Sequence, residues 1–106
     1  LHWMVHSFPT RRSSDLIWVD QGAERAVVEN GKSLLPSGVV RIDGHFTSGD
    51  CVEMKNGSGT VVARGIANYS SSEMDRIKGL KSLDIEKELG YKYTEEMVHR
   101  DNMVVI

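Results

Sequence analysis

Apolar positions change their spacing several times along this chain, and each change marks an element. Leu16-Ile17-Trp18-Val19 is an unbroken run of branched and aromatic residues, which predicts a strand. Gln21-Gly22 reads as a turn. Ala23, Ala26 and Val27 stand at i, i+3 and i+4, one stripe of a helix running to Asn30. Gly31 follows where a left-handed residue ends such a helix. Ser33 to Gly38 reads as a loop, because Pro36 breaks a helix. Val39 to Asp43 is a second strand, closed by Gly44. A polar turn anchored by Phe46 leads to a third strand over Cys51 to Lys55. Asn56-Gly57 is the pair favoured by a two-residue type I′ hairpin, whose central positions both need positive φ. Thr60 to Tyr69 returns as a fourth strand with apolar residues on both faces.

Ser70 and Glu73 have capping-box spacing, so a helix begins there, buries Met74 and Ile77 and stops at Gly79. Ser82 starts a second short helix, with Ile85 and Leu89 as i, i+4 partners and Gly90 as its stop. Tyr91-Lys92-Tyr93 is a connector, Thr94 to Met97 one more turn, and Met103 to Ile106 a last strand. The order suits a small mixed β/α barrel with helices over its openings. Its expected core is Trp18, Val27, Leu35, Val40, Ile42, Val52, Val62, Ile66, Ile77 and Val104.

The first sixteen residues have neither period. His6 to Leu16 back-translates, unbroken in one frame, to a common sequencing-library adapter. Residues 1–16 are therefore expected to be a disordered non-native leader, with one domain over 17–106 and native sequence continuing upstream of Ile17. The 106 residues carry 13 Lys plus Arg and 15 Asp plus Glu, a net −2. Leaving out Arg11, Arg12 and Asp15 gives eleven bases against fourteen acids, net −3, so no basic nucleic-acid coat is present. The lone Cys51 excludes a disulfide framework and favours a cytoplasmic setting. No apolar run approaches the ~20 residues of a membrane span.

Candidate chemistry is sparse. His99-Arg100-Asp101-Asn102 invites comparison with a protein-kinase catalytic loop, but the Asn required five residues after the Asp is Ile106. A surface turn capped by Asp101 and Asn102 is the plainer reading. The histidines lack metal-ligand spacing. Carboxylates beside Cys51 raise a thiol pKa rather than activate it. The Asn56 and Asn68 sequons are coincidental without secretion. Lys32 and Arg41 flank the Ser33–Gly38 loop and Arg25 lies on the preceding helix, so a small basic edge next to permissive backbone is a candidate phosphate site.

Ile17-Trp18-Val19-Asp20-Gln21-Gly22-Ala23, followed by Lys32-Ser33-Leu34-Leu35-Pro36-Ser37-Gly38-Val39, resembles the PUA domain. Phe46-x-x-Gly49-Asp50-x-Val52 and Ala63-Arg64-Gly65 agree. Arg64 to Ser71, Ile85 to Tyr91 and His99 to Val105 narrow the likeness to the PUA domain that ends bacterial glutamate 5-kinases. The resemblance implies a PUA-like pseudobarrel of about five to six strands with two to three short helices. It implies a non-catalytic regulatory or assembly role in proline biosynthesis, with an upstream amino-acid-kinase domain, and other subunits, as partners. ATP and magnesium would belong to that domain; this chain offers no catalytic, cofactor or metal residues. RNA binding is the alternative, and the positions matching the RNA face of relatives are Gly22, Ala23, Arg25, Lys32, Ser33, Leu34, Gly38 and Arg41.

Overall fold

A computed structural model describes residues 15–106; residues 1–14, most of the expected leader, lie outside it. Among the described residues five strands form one mixed sheet in the order β2-β1-β3-β4-β5. They are β1 (Leu16–Val19), β2 (Val39–Asp43), β3 (Cys51–Lys55), β4 (Val61–Ile66) and β5 (Met103–Val105). β1 runs parallel to β3, and the other neighbours are antiparallel. Helices α1 (Gln21–Val28), α2 (Ser71–Ile77) and α3 (Ile85–Leu89) complete the mixed β/α architecture expected. Leu16, assigned above to the leader, pairs with Asp43 on one side and Glu53 on the other.

The helix ends follow local chemistry. Asp20 is extended and its carboxylate accepts the Ala23 amide at 2.7 Å, so α1 begins two residues before the apolar stripe does. Ser70 and Glu73 form both halves of the capping box. Gly90 ends α3 at φ +87°. Pro36 does not merely break structure: it opens a single 3₁₀ turn over Pro36–Gly38, where its missing N–H costs nothing.

Three local expectations fail. The β3–β4 hairpin is not a type I′ turn, since neither Asn56 nor Gly57 has positive φ; Gly59 takes the left-handed position at φ +85°. The Asn56 side chain organises a longer loop by accepting the Ser58 and Thr60 amides, both at 3.0 Å. The segment from Thr94 to Met97 forms no helical turn, and Leu34 and Val98 instead make an isolated antiparallel bridge. The short turn over Arg100–Asn102 is capped by His99, whose Nδ1 accepts the Asp101 amide, rather than by Asp101 or Asn102.

The core joins Ile17, Val19, Val52 and Met54 of the sheet to Val27, Met74, Ile77, Ile85 and Leu89 of the helices, with Tyr69, Met97 and Val98 from the connections. Of the expected core, Val27, Val52, Val62 and Ile77 are buried and Trp18 and Ile42 half-buried. Leu35, Val40, Ile66 and Val104 are exposed, Ile66 by 37% and Val104 by 68%. The cause in β4 is register. Ala63, Gly65 and Ala67 face inward, so Ile66 falls on the opposite face with Arg64, where only Val62 is covered. A Cβ at Gly65 would stand 2.5 Å from Val98 Cγ1 and 2.9 Å from the Asn102 carbonyl, so the inner face of β4 has no room for a side chain at that position. On its outer face Arg64 donates to Glu53 at 3.1 Å.

Candidate functional site

The loop between α1 and β2 folds back onto α1. The Asp20 amide donates to the Gly38 carbonyl at 3.0 Å, and the Lys32 amide to the Ala26 carbonyl at 3.0 Å. Gly38 lies so close to the helix that a Cβ there would be 2.4 Å from that of Ala23. This approach, which only glycine permits, holds the 3₁₀ turn against α1. A cleft of about 400 Å³ opens between them. Six candidate residues line it: Gly22, Ala23, Lys32, Ser33, Leu34 and Gly38.

The structure does not gather all eight. Arg25 is exposed on α1 but does not line the cleft, and neither does Arg41. Leu34 is buried and its backbone is taken by the bridge to Val98. The Ser33 hydroxyl accepts the Arg100 amide at 2.8 Å. Two carboxylates that the basic-edge reading left out, Asp20 and Glu96, line the same cleft. Among the described residues Lys32 is thus its one cationic lining residue, and the edge is mixed in charge. The sequence reading placed a Gln21-Gly22 turn between Asp20 and the helix and so missed it; Glu96 is brought in from far along the chain.

Arg41 belongs to a different surface. In register across the sheet, Trp18 of β1 lies between Arg41 of β2 and Lys55 of β3. Their cationic groups stand 5.7 and 5.4 Å from its ring centroid, within cation–π range. Asp43 closes the cluster: it accepts the Trp18 indole N–H at 2.8 Å and the Arg41 Nε at 3.0 Å. The indole bond, with Arg41 adding to it against the opposing effect of desolvation, holds the Asp43 carboxyl below its ordinary range. Arg41 is therefore already engaged by an aromatic face and a carboxylate.

A third surface surrounds the chain after α3. The buried Tyr69 hydroxyl donates to the Thr94 carbonyl at 2.6 Å and accepts the Tyr93 and Thr94 amides at 3.0 and 3.1 Å. The Tyr69 and Tyr93 rings stack at 5.3 Å, and Tyr91 tilts against Tyr93 at 5.2 Å. The Tyr91 hydroxyl donates to Glu73, and that bond, with some desolvation, pushes its phenol up to about 12. Desolvation works to raise the Glu73 carboxyl, but the donors Tyr91 and Ser70 outweigh it and bring it below the usual range. Sequence reading took Tyr91 to Tyr93 for a connector only.

No group of three or more His, Cys, Asp or Glu residues able to hold a metal is found among the described residues. Burial raises the half-buried Cys51 thiol; Arg64 opposes this and Glu53 adds to it. No helix among the described residues is long and apolar enough to cross a membrane.

The sequence profile of the PUA domain family matches residues 16–89. The chain belongs to the PUA domain family. Within it, the chain is similar to bacterial glutamate 5-kinases. The chain is 53% identical over 90 residues to the glutamate 5-kinase of Caldanaerobacter subterraneus subsp. tengcongensis, which is 85% of this chain and 24% of that protein. It is 52% identical over 104 residues to that of Syntrophotalea carbinolica, 98% of this chain and 27% of the relative. It thus spans about a quarter of the length of these curated relatives and matches their C-terminal PUA domain. The fold is shared with a PUA domain protein of Aeropyrum pernix at TM-score 0.59 and 28% identity, over 82% of this chain and 43% of that one. It is also shared with the archaeal box H/ACA sRNP Nop10–Cbf5 complex at TM-score 0.57 and 26% identity, over 85% of this chain and 26% of that one.

Proposed function

We propose that this chain acts as the C-terminal accessory module of a glutamate 5-kinase. In this reading a separate amino-acid-kinase domain binds ATP, magnesium and glutamate and phosphorylates the side-chain carboxylate in the cytoplasm. The PUA module contributes assembly or regulation and performs no phosphotransfer. The observation that carries the reading is the 53% identity to a glutamate 5-kinase, against 28% to the PUA domain protein of Aeropyrum pernix.

The test is an exchange. The C-terminal domain of the Syntrophotalea carbinolica enzyme is replaced by residues 17–106 of this chain, and glutamate phosphorylation and assembly mass are measured. Activity and mass equal to those of the parent enzyme are expected. A chimera that behaves like the enzyme with its C-terminal domain removed counts against the reading. The 106-residue chain alone, given ATP, magnesium and glutamate, should release no ADP.

RNA binding is a second reading, favoured by the likeness to a ribonucleoprotein component. Its site would be the cleft beside α1, with Lys32 as the phosphate contact. Arg25 and Arg41 would contribute only from outside it. Asp20 and Glu96 oppose phosphate there. Filter binding of structured RNA at two salt concentrations decides: no retention at low salt removes this reading.

A further inference from the structure

The tyrosine surface after α3 has a composition that neither reading uses. Tyr91 and Tyr93 are both exposed, Tyr93 by 64%, although each packs against another aromatic ring. They border an open recess that also includes Asn68, Ser70, Glu73 and Thr94. Among the described residues no lysine or arginine lines this recess, and no cationic side chain pairs with Glu73. Arg76 of α2 is close enough for its charge to act on Tyr91, but it is bonded to the Glu88 carboxylate and carbonyl, which offsets it.

Glu73 is fixed in place. One oxygen accepts the Ser70 amide at 2.8 Å and the other the Tyr91 hydroxyl. Donating that hydroxyl proton toward a carboxylate makes the Tyr91 ring more electron-rich, and so a better partner for a cation. Aromatic faces beside an unpaired, immobilised carboxylate attract an organic cation and repel a phosphate. The recess is open rather than enclosing, whereas small-molecule sites cover most of their ligand. This favours a side chain presented from another surface.

We propose that the Tyr91–Tyr93–Glu73 recess is a docking point for a lysine side chain of a partner protein surface. The ammonium lies against the tyrosine rings and is neutralised by Glu73. The inference is independent of the kinase reading, since it needs neither ATP nor glutamate.

The probe is Nα-acetyl-lysine-N-methylamide, titrated into the 106-residue chain while the amide resonances of Tyr91, Tyr93 and Thr94 are followed. The isosteric norleucine derivative is the neutral control, and adenosine monophosphate tests for a nucleobase platform. Saturable shifts with the lysine compound and none with norleucine are expected. Glu73→Gln retains an N3 side chain suited to the capping box and should weaken binding at least tenfold; Tyr93→Leu should weaken it similarly. Equal shifts with norleucine overturn the proposal. So does unchanged affinity in Glu73→Gln, or preferential binding of adenosine monophosphate at the same amides.

Discussion

The cleft beside α1 and the recess beside α2 are built in opposite ways. The cleft is mostly a local object. Residues from Asp20 to Gly38 make nearly all of it, and its shape comes from backbone approach, above all Gly38 against Ala23. The recess is a long-range object. Ser48, Glu73 and Tyr91 meet there although they are far apart in sequence, and one wall is the Tyr93–Thr94 backbone held by the buried Tyr69 hydroxyl. The first shows how a family signature can record packing rather than chemistry: Gly38 and Leu34 are needed for the loop to close, whatever the cleft binds. The second shows how polar chemistry can gather where no contiguous motif announces it.

The comparison breaks most sharply at Leu34. Its fully buried side chain supports the cleft wall, so Leu34→Ala should cost about 2–5 kcal/mol in chemical unfolding. A cost below about 1 kcal/mol would mean that the cleft is held by backbone bonds alone.

Next in size is Tyr69→Phe, which leaves the Tyr93 and Thr94 amides without their acceptor. A loss of about 1–3 kcal/mol is expected. Hydrogen exchange at these two amides should rise while the Leu34 amide, bonded to Val98, stays protected. Equal acceleration at both sites would show that the two regions open as one unit.

A smaller effect separates them by pH. The Tyr91 phenol has an ordinary value of 10.0 and is raised in the fold, so the folded state favours its protonated form. That contribution is fully present below pH 10 and is lost as pH rises towards about 12. One tyrosine should therefore ionise late in an alkaline absorbance titration, and Tyr91→Phe should remove that phase. The cleft, which contains no tyrosine, should show no such alkaline step.

Least of all is expected from Ile66→Ala. On the outer face of β4 it should cost under about 1 kcal/mol in thermal unfolding. A larger loss would return Ile66 to the core and reverse the β4 register.

The chain's own local chemistry determined where elements begin and end. Asp20 before a helix, the Ser70–Glu73 box and Gly90 each act through neighbours within about one helical turn. The PUA signature over Ile17–Val39 and the tail from Arg64 to Val105 likewise lie in contiguous residues, so family and element order were legible. Side-chain orientation was not. Apolar residues on both faces of β4 left its register open, and only Val98 and Asn102 pressed against Gly65 decided it. Arg41 looked like part of a basic edge until strand pairing set it beside Trp18 and Asp43. Glu96 entered the cleft, and Tyr91 met Glu73, through contacts between distant segments. Helix capping is fixed by a few adjacent dihedrals, so sequence alone determined the Ser70–Glu73 box and the Gly90 stop, whereas the Asn56-Gly57 loop and the His99 cap went against its reading. Which charges and rings share a surface depends on sheet register and on the packing of distant segments, so only the tertiary structure decided it.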